Sequence, residues 1–407
     1  MWHSSAIHEK DIQPEYLTAA RELRQRFEET AGEVDRRGTY PEENMQLIGE
    51  SALRKLQLPR SVGGNASDNP IDDIPTTVQL LKHLGAGEPS TAQIWIFSRD
   101  LSVMLTGESS PLPMEVRQEL AREVRENGAR FCAPSAERYS KRYDFRVPIR
   151  RVEGGVVISG TKYFATGCAG SRYAHSFGLM EGYSSVMDGG GHNVLVDMQS
   201  PGVEVHDDWD NMGQRASSSG SVTYHDVFVP DGYHWAPPNG GFNKNPNDPT
   251  GVVAPFALAP IMLGIGLGAL DVVSDFLQNR SMYKGALEDN SISYQLGLHA
   301  VRLAAAEALL MEAVRHVTAY FAEGLGTRAE AALAGSRAKV AVSNAVLEFT
   351  ADMQKFLGGQ STSNAYRYDR FWRNVRTLTL QDVIDIRVKQ IGAWALKGEE
   401  PEVSWTS

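Results

Sequence analysis

Phe164, Thr166 and Gly167 are the residues whose types and spacing first suggest chemistry. They close a stretch that opens with Gly154-Gly155, a hairpin dipeptide, and continues through the β-branched Val156, Val157 and Ile158. Extended backbone places Phe164 and Thr166 on one face. A flat ring could stack on the phenyl group and share a hydrogen bond with the hydroxyl, while Gly167 lets backbone come close to a ligand. The alternative is an ordinary hairpin with a core phenylalanine and a half-buried threonine. A second set of candidates is aromatic. Trp95, Phe97 and Trp372 could line an apolar pocket suited to a flat hydrophobic molecule, although such residues also serve as ordinary core.

Three regions must position these residues. Residues 1–128 read as helical, with Leu17, Ala20, Leu23 and Phe27 at helical spacing among Glu and Arg. Pro41 suits a first turn ahead of Leu47, Ile48 and Leu53, and a charged amphipathic segment from Met114 to Asn127 is closed by Gly128. Residues 129–235 change character, with β-rich runs at 142–150, 155–159, 173–180, 192–197 and 220–229 between glycine-rich turns. Residues 236–407 begin as an Asn/Gly/Pro linker and then turn helical. Long helices are expected near 254–284, 292–322 and 328–357, with a shorter one near 380–396. Helices, one β block and a helical bundle make an α+β fold in three parts.

Composition narrows the function. A formal net charge of −10 over 407 residues argues against nucleic acid or an anionic membrane surface as the main partner. Cys132 and Cys168 offer neither a disulfide framework nor metal-ligand spacing, and the histidines are scattered, so no metal is expected. No signal pattern opens the chain and no apolar run reads as a membrane span, which points to a cytoplasmic protein. The run Gly264-Ile265-Gly266-Leu267-Gly268 mimics a dinucleotide fingerprint but lacks the preceding strand, so close helix packing explains it better. Asp207, Asp208 and Asp210 read as a solvated acidic turn, and no Gly-x-Ser-x-Gly elbow supports hydrolase chemistry.

Four pieces in order resemble the acyl-CoA dehydrogenase fold. They are Leu58-Pro59 with Gly63-Gly64, then Phe131-Cys132-Ala133-Pro134-Ser135-Ala136-Glu137, then the strand ending at Gly167, then the run from Ser219 to Pro230. The resemblance implies an N-terminal helical domain, a middle β-domain and a C-terminal four-helix bundle, with a flavin between the last two. It implies that Phe164 and Thr166 lie beside the isoalloxazine, with the threonine hydroxyl near N5. Ser135 and the backbone around Phe131 would hold the pyrimidine side. Arg280 lies where the family often places an arginine on the flavin phosphates of a neighbouring subunit, and a solvated helix-end cation is its alternative. A homotetramer or dimer is implied as well.

The stretch Arg370-Phe371-Trp372-Arg373-Asn374-Val375-Arg376-Thr377 resembles the two-component flavin monooxygenases, such as the dibenzothiophene monooxygenase group. That resemblance implies reduced flavin, FAD or FMN, supplied by a separate NAD(P)H:flavin reductase. Reaction with O2 would give a C4a-hydroperoxyflavin that oxygenates a hydrophobic aromatic or heteroaromatic substrate, indole- or phenol-like. Acyl-CoA dehydrogenases instead carry Arg-Asp here and often a base glutamate nine residues on, a count that reaches Asp382. Asp is one methylene shorter than Glu, and helix capping is its favoured alternative. Places where related monooxygenases commonly hold histidines are occupied by Ser98 and Gln381, which hydrogen-bond but do not relay protons near neutral pH. Ser98, Gln381 and Asp382 are therefore assigned to the peroxide and substrate side. The rival functions are an acyl-CoA dehydrogenase with bound FAD and Asp382 as base, and a non-catalytic ligand-binding relative.

Overall fold

The computed structural model describes residues 6–138, 144–237, 248–280 and 285–403. The N-terminal region holds α1 (Ala6–Glu9), α2 (Pro14–Arg37), α3 (Glu42–Glu50), α4 (Ile74–Gly87), α5 (Pro89–Thr106) and α6 (Met114–Asn127). Among these α5 is buried along nearly its whole length, as expected of a helix with apolar residues all round. Its start is fixed by Glu88, whose carboxylate accepts from the Ser90 and Thr91 backbone N–H groups at 3.1 and 2.7 Å. Burial of that carboxylate raises its pKa, and these hydrogen bonds only partly offset the shift.

The middle region is one sheet of eight strands: β1 (Phe131–Cys132), β2 (Pro148–Val152), β3 (Gly155–Lys162), β4 (Tyr173–Met180), β5 (Gly191–Asp197), β6 (Val203–Val205), β7 (Val222–Pro230) and β8 (His234–Trp235). The order is β6-β7-β3-β2-β4-β5-β8, with β1 beside β4. The expected Gly154-Gly155 hairpin joins β2 to β3, and β3 then pairs antiparallel with β7 from Val156↔Val229 to Lys162↔Val222. Val156, Ile158, Val222, Val227 and Val229 fill the inner face of the sheet. The expected strand at 142–150 begins only at Pro148, with residues 139–143 outside the described residues. Strands β6 and β8 are three and two residues long, too short for an alternating pattern to reveal them.

The C-terminal region holds α7 (Thr250–Val253), α8 (Ala259–Asp275), α9 (Asn290–Glu323), α10 (Arg328–Leu357), α11 (Asp369–Thr379) and α12 (Ile384–Lys397). The helix expected at 254–284 starts with a 3-10 turn at Ala254–Phe256 and winds into a π-helical turn at Phe276–Arg280. Helix α11 lies between the helices expected at 328–357 and 380–396 and was not itself among the expected ones. The segment Thr250–Asn279 is also long and apolar enough to cross a membrane by composition, contrary to the sequence expectation, but 83% of its most apolar window is buried inside the protein. It is a core helix.

The glycine run in α8 makes that burial possible. A Cβ on Gly264 would lie 2.3 Å from the Lys82 carbonyl oxygen, and one on Gly268 would lie 2.8 Å from that of Ala86, so α8 packs backbone-close against α4. Lys82 of α4 forms a buried ion pair with Glu307 of α9. Helices from both ends of the chain thus share one hydrophobic core, while the sheet has its own.

Candidate functional site

The chain leaves β3 through a turn that the sequence did not foreshadow. The Tyr163 N–H donates to the Ala136 carbonyl at 2.9 Å, Phe164 adopts φ 58°, and the Thr166 N–H donates back to the Phe164 carbonyl at 3.0 Å. A left-handed φ on a bulky residue is uncommon and is held here by its surroundings. Phe164 and Thr166 therefore do not share an extended face, which corrects the sequence expectation. The phenyl group turns outward and is 64% exposed, and the threonine hydroxyl turns inward. Gly167 has φ 77°, and a Cβ there would sit 3.0 Å from Ile94 Cγ2. The glycine seats the turn on α5; the sequence reading had given it to a ligand.

Inside the turn a string of hydroxyls meets α5. Thr166 Oγ1 lies 2.9 Å from Ser219 Oγ, which lies 2.7 Å from Ser217 Oγ. Gln93 Nε2 on α5 reaches Thr166 Oγ1 at 3.5 Å. The Ala165 and Gly167 N–H groups donate to the Gly220 and Ser217 carbonyls at 3.0 and 2.9 Å, which locks the serine loop to the turn. At the start of β1, Ser98 Oγ on α5 accepts from the Phe131 N–H at 3.1 Å. Both Ser98 and Phe131 are buried. Ser98 thus holds the β1 backbone against α5.

Outside the turn lies a cleft of about 310 Å³, lined among others by Ala136, Arg138, Tyr163, Phe164 and Trp209. Trp209 meets Phe164 edge-on, with ring centroids 6.2 Å apart. The cleft wall at 135–138 is anchored from below by Lys162, which is fully buried and donates to Glu137 Oε1 at 2.5 Å and to the Ser135 carbonyl at 3.4 Å. Burial brings the lysine pKa down to about 8 despite the opposing carboxylate. The Ser135 side chain itself is exposed at the edge of this wall, and the Arg138 guanidinium lies 4.5 Å from the Tyr163 ring centroid. Of the acidic turn, Asp208 is not merely solvated: its carboxylate accepts from the Ser221 N–H and Oγ at 2.7 and 2.6 Å.

The Arg370–Asp382 stretch is spent largely on structure. Arg373 forks onto the buried Asp35 carboxylate of α2 at 2.7 and 2.9 Å and donates to the Met212 carbonyl at 2.6 Å. Arg367 joins the same carboxylate at 2.6 Å. Asn374 Oδ1 accepts from the Gln214 N–H at 2.6 Å, fixing the base of the serine loop. Asp382 is held by both Arg387 nitrogens, at 2.7 and 2.9 Å. It caps no helix: α12 starts after Val383 with no side-chain cap, which replaces the favoured capping reading.

The family described as "Acyl-CoA dehydrogenase, C-terminal domain" matches residues 256–385. A dibenzothiophene monooxygenase of Rhodococcus qingshengii is 27% identical over 406 residues, covering 96% of this chain and 95% of that protein. A probable FMNH2-dependent monooxygenase, SfnC, of Pseudomonas putida is 27% identical over 413 residues, covering 96% and 97%. The structure of FMN-bound TdsC from Paenibacillus sp. superposes with a TM-score of 0.84 at 24% identity, covering 96% of this chain and all of that one. The chain has an acyl-CoA dehydrogenase-like fold. Over nearly its whole length it is similar to flavin-dependent monooxygenases, and it is an oxidoreductase.

The remaining expected residues are dispersed. Phe97 is half-buried and lies one helical turn beyond Gln93, on the same side of α5. Trp95 is 0% exposed and turned into the helical core, where its Nε1 has no hydrogen-bond partner among the described residues. Trp372 is half-buried, 5.9 Å from the Arg376 guanidinium, and no described contact links it to Phe164 or Thr166. Gln381 is exposed in the turn after α11. The side chain of Arg280 lies outside the described residues, although its backbone closes the π-helical turn. Sequence reasoning missed Gln93, Ser217 and Trp209. The serine run 217–219 was a visible signal, whereas a lone glutamine in an apolar helix gave none.

Proposed function

We propose that this chain is a flavin-dependent monooxygenase that oxygenates a small hydrophobic substrate, aromatic or heteroaromatic and indole- or phenol-like. The observation that carries this reading is the turn at 163–167. It offers an exposed aromatic face above a largely buried polar string in which one amide oxygen, Gln93 Oε1, has no partner among the described residues. A planar heterocycle with polar edges fits that combination of a stacking surface and an unused acceptor. Phe164 would support the ring and Thr166 would hydrogen-bond it, with Ser135 and the backbone near Phe131 on its pyrimidine side. The bound reduced flavin supplies the activation of O2. The protein holds the ring, keeps water from it and presents the substrate. Gln381 is free to meet a substrate, while Ser98 contributes by fixing Phe131.

The dehydrogenase alternative asks Asp382 to remove a proton, yet that carboxylate is clamped by Arg387 and would have to leave a bidentate pair first. FMNH2 dependence in one relative and bound FMN in another favour FMN, delivered by a separate NAD(P)H:flavin reductase. The exposed Tyr294, Leu298, Val301 and Leu309 recur at helical spacing on α9, an apolar stripe suited to a second copy of the chain and consistent with a cytoplasmic homotetramer. Arg280 would then serve a neighbouring copy's flavin phosphate. The deciding experiment mixes the protein, loaded with anaerobically reduced FMN, rapidly with oxygenated buffer. An oxygen-dependent transient spectrum distinct from both oxidised and reduced flavin is expected, with product formation on adding indole. Direct reoxidation without a transient, together with flavin bleaching by an acyl-CoA, would favour the dehydrogenase.

A further inference from the structure

Gln93 is 7% exposed, lies on the buried helix α5, and uses only half of its amide within the protein. Its Nε2 reaches Thr166 Oγ1 at 3.5 Å, and its Oε1 has no hydrogen-bond partner among the described residues. The neighbouring groups are otherwise engaged: Ser217 and Ser219 pair with each other, and Ser90 Oγ donates to Gln214 Oε1 at 2.8 Å. Gln214 Nε2 is a second orphan, but it makes no hydrogen bond to Gln93. A buried acceptor left unmade is costly, so its persistence beside the hydroxyl string calls for a donor from outside the chain.

We propose that Gln93 is a further binding residue of the flavin site, and that it distinguishes the reduced from the oxidised ring. The inference rests on the flavin reading given above. A reduced isoalloxazine carries an N–H at N5 that the oxidised ring lacks, and Gln93 Oε1 is a neutral acceptor on the same amide that steadies Thr166. The amide therefore favours the reduced form without introducing a charge, which suits an enzyme fed with reduced flavin. It also gives Thr166 a fixed role: with Gln93 donating to its oxygen, the threonine proton is directed to Ser219 or to the ligand.

The test is an anaerobic titration of wild type, Gln93→Leu and Gln93→Glu with oxidised and with chemically reduced FMN, read by flavin absorbance and fluorescence, alongside thermal melting. Gln93→Leu is expected to lose about tenfold in affinity for reduced FMN, with affinity for oxidised FMN changed less than about twofold. That difference corresponds to a two-electron midpoint for bound FMN lower by about 30 mV. Gln93→Glu keeps an acceptor in the same place, so it retains the preference and decides the matter if Gln93→Leu does not fold. Equal losses for the two redox states, with no shift in midpoint, would make Gln93 a packing residue and overturn this proposal alone. A wild type that binds neither form of FMN overturns the flavin reading and this inference with it.

Discussion

At the end of β3, Phe164 faces outward while half-buried Thr166 and buried Ser219, Ser217 and Gln93 form a polar string with one acceptor to spare. In and around α11 the polar groups have been spent. Arg373 and Arg367 converge on Asp35, Asn374 takes the Gln214 N–H, and Asp382 is closed off by Arg387. Both stretches carry the resemblance to the superfamily, yet among the described residues only the first leaves a buried acceptor unused. The second serves the first: by gripping 212–214 it fixes the base of the loop that brings Ser217 and Ser219 to Thr166.

Substitutions can break this contrast. The largest effect is expected at Asp35→Ala, which removes the buried carboxylate shared by Arg367 and Arg373, leaves Arg373 only Asp369 and the Met212 carbonyl, and should cost about 3 kcal/mol in denaturant unfolding. Burial raises the Asp35 pKa, but hydrogen bonds and charge from Arg373 and Arg367 outweigh it and leave the folded pKa lowered. The stabilisation is therefore complete above the unfolded value of about 3.9 and is lost as pH falls below it, through the folded value. Acid denaturation profiles of wild type and Asp35→Ala should converge in that window. A gap that stays constant there would remove the bracing role.

Thr166→Val comes next. It strips the hydroxyl shared by Gln93 and Ser219, with an expected loss of about 1–3 kcal/mol in stability and about tenfold in FMN affinity. Phe164→Ala should separate binding from folding. The side chain is mostly exposed, so stability should move by no more than about 0.5 kcal/mol, while FMN affinity falls by the equivalent of about 1 kcal/mol of ring contact. A fall in melting temperature with unchanged FMN binding would reverse the roles given to the two regions. Gln381→Ala is the mildest: the residue is exposed, stability should change by under about 0.5 kcal/mol, and a rise in KM at constant melting temperature would place it on the substrate side.

By itself the sequence determined the three-part order, the helices of both ends and the β2–β3 hairpin. Those features are written in local periodicity and turn residues, which act over a few positions. Close packing at Gly264 and Gly268 was legible for the same reason, since small residues one helical turn apart mark a contact face. The tertiary structure alone decided which side chains were left unsatisfied. Phe164 turns outward because Ala136 and Gly220, distant in the chain, take the N–H groups on either side of it. Gln93 meets Thr166 across 73 positions, and Arg373 meets Asp35 across 338. Hydrogen bonds between such distant residues leave no period in the sequence. Only the folded chain shows that Asp382 is already held while the Gln93 oxygen is still free to accept.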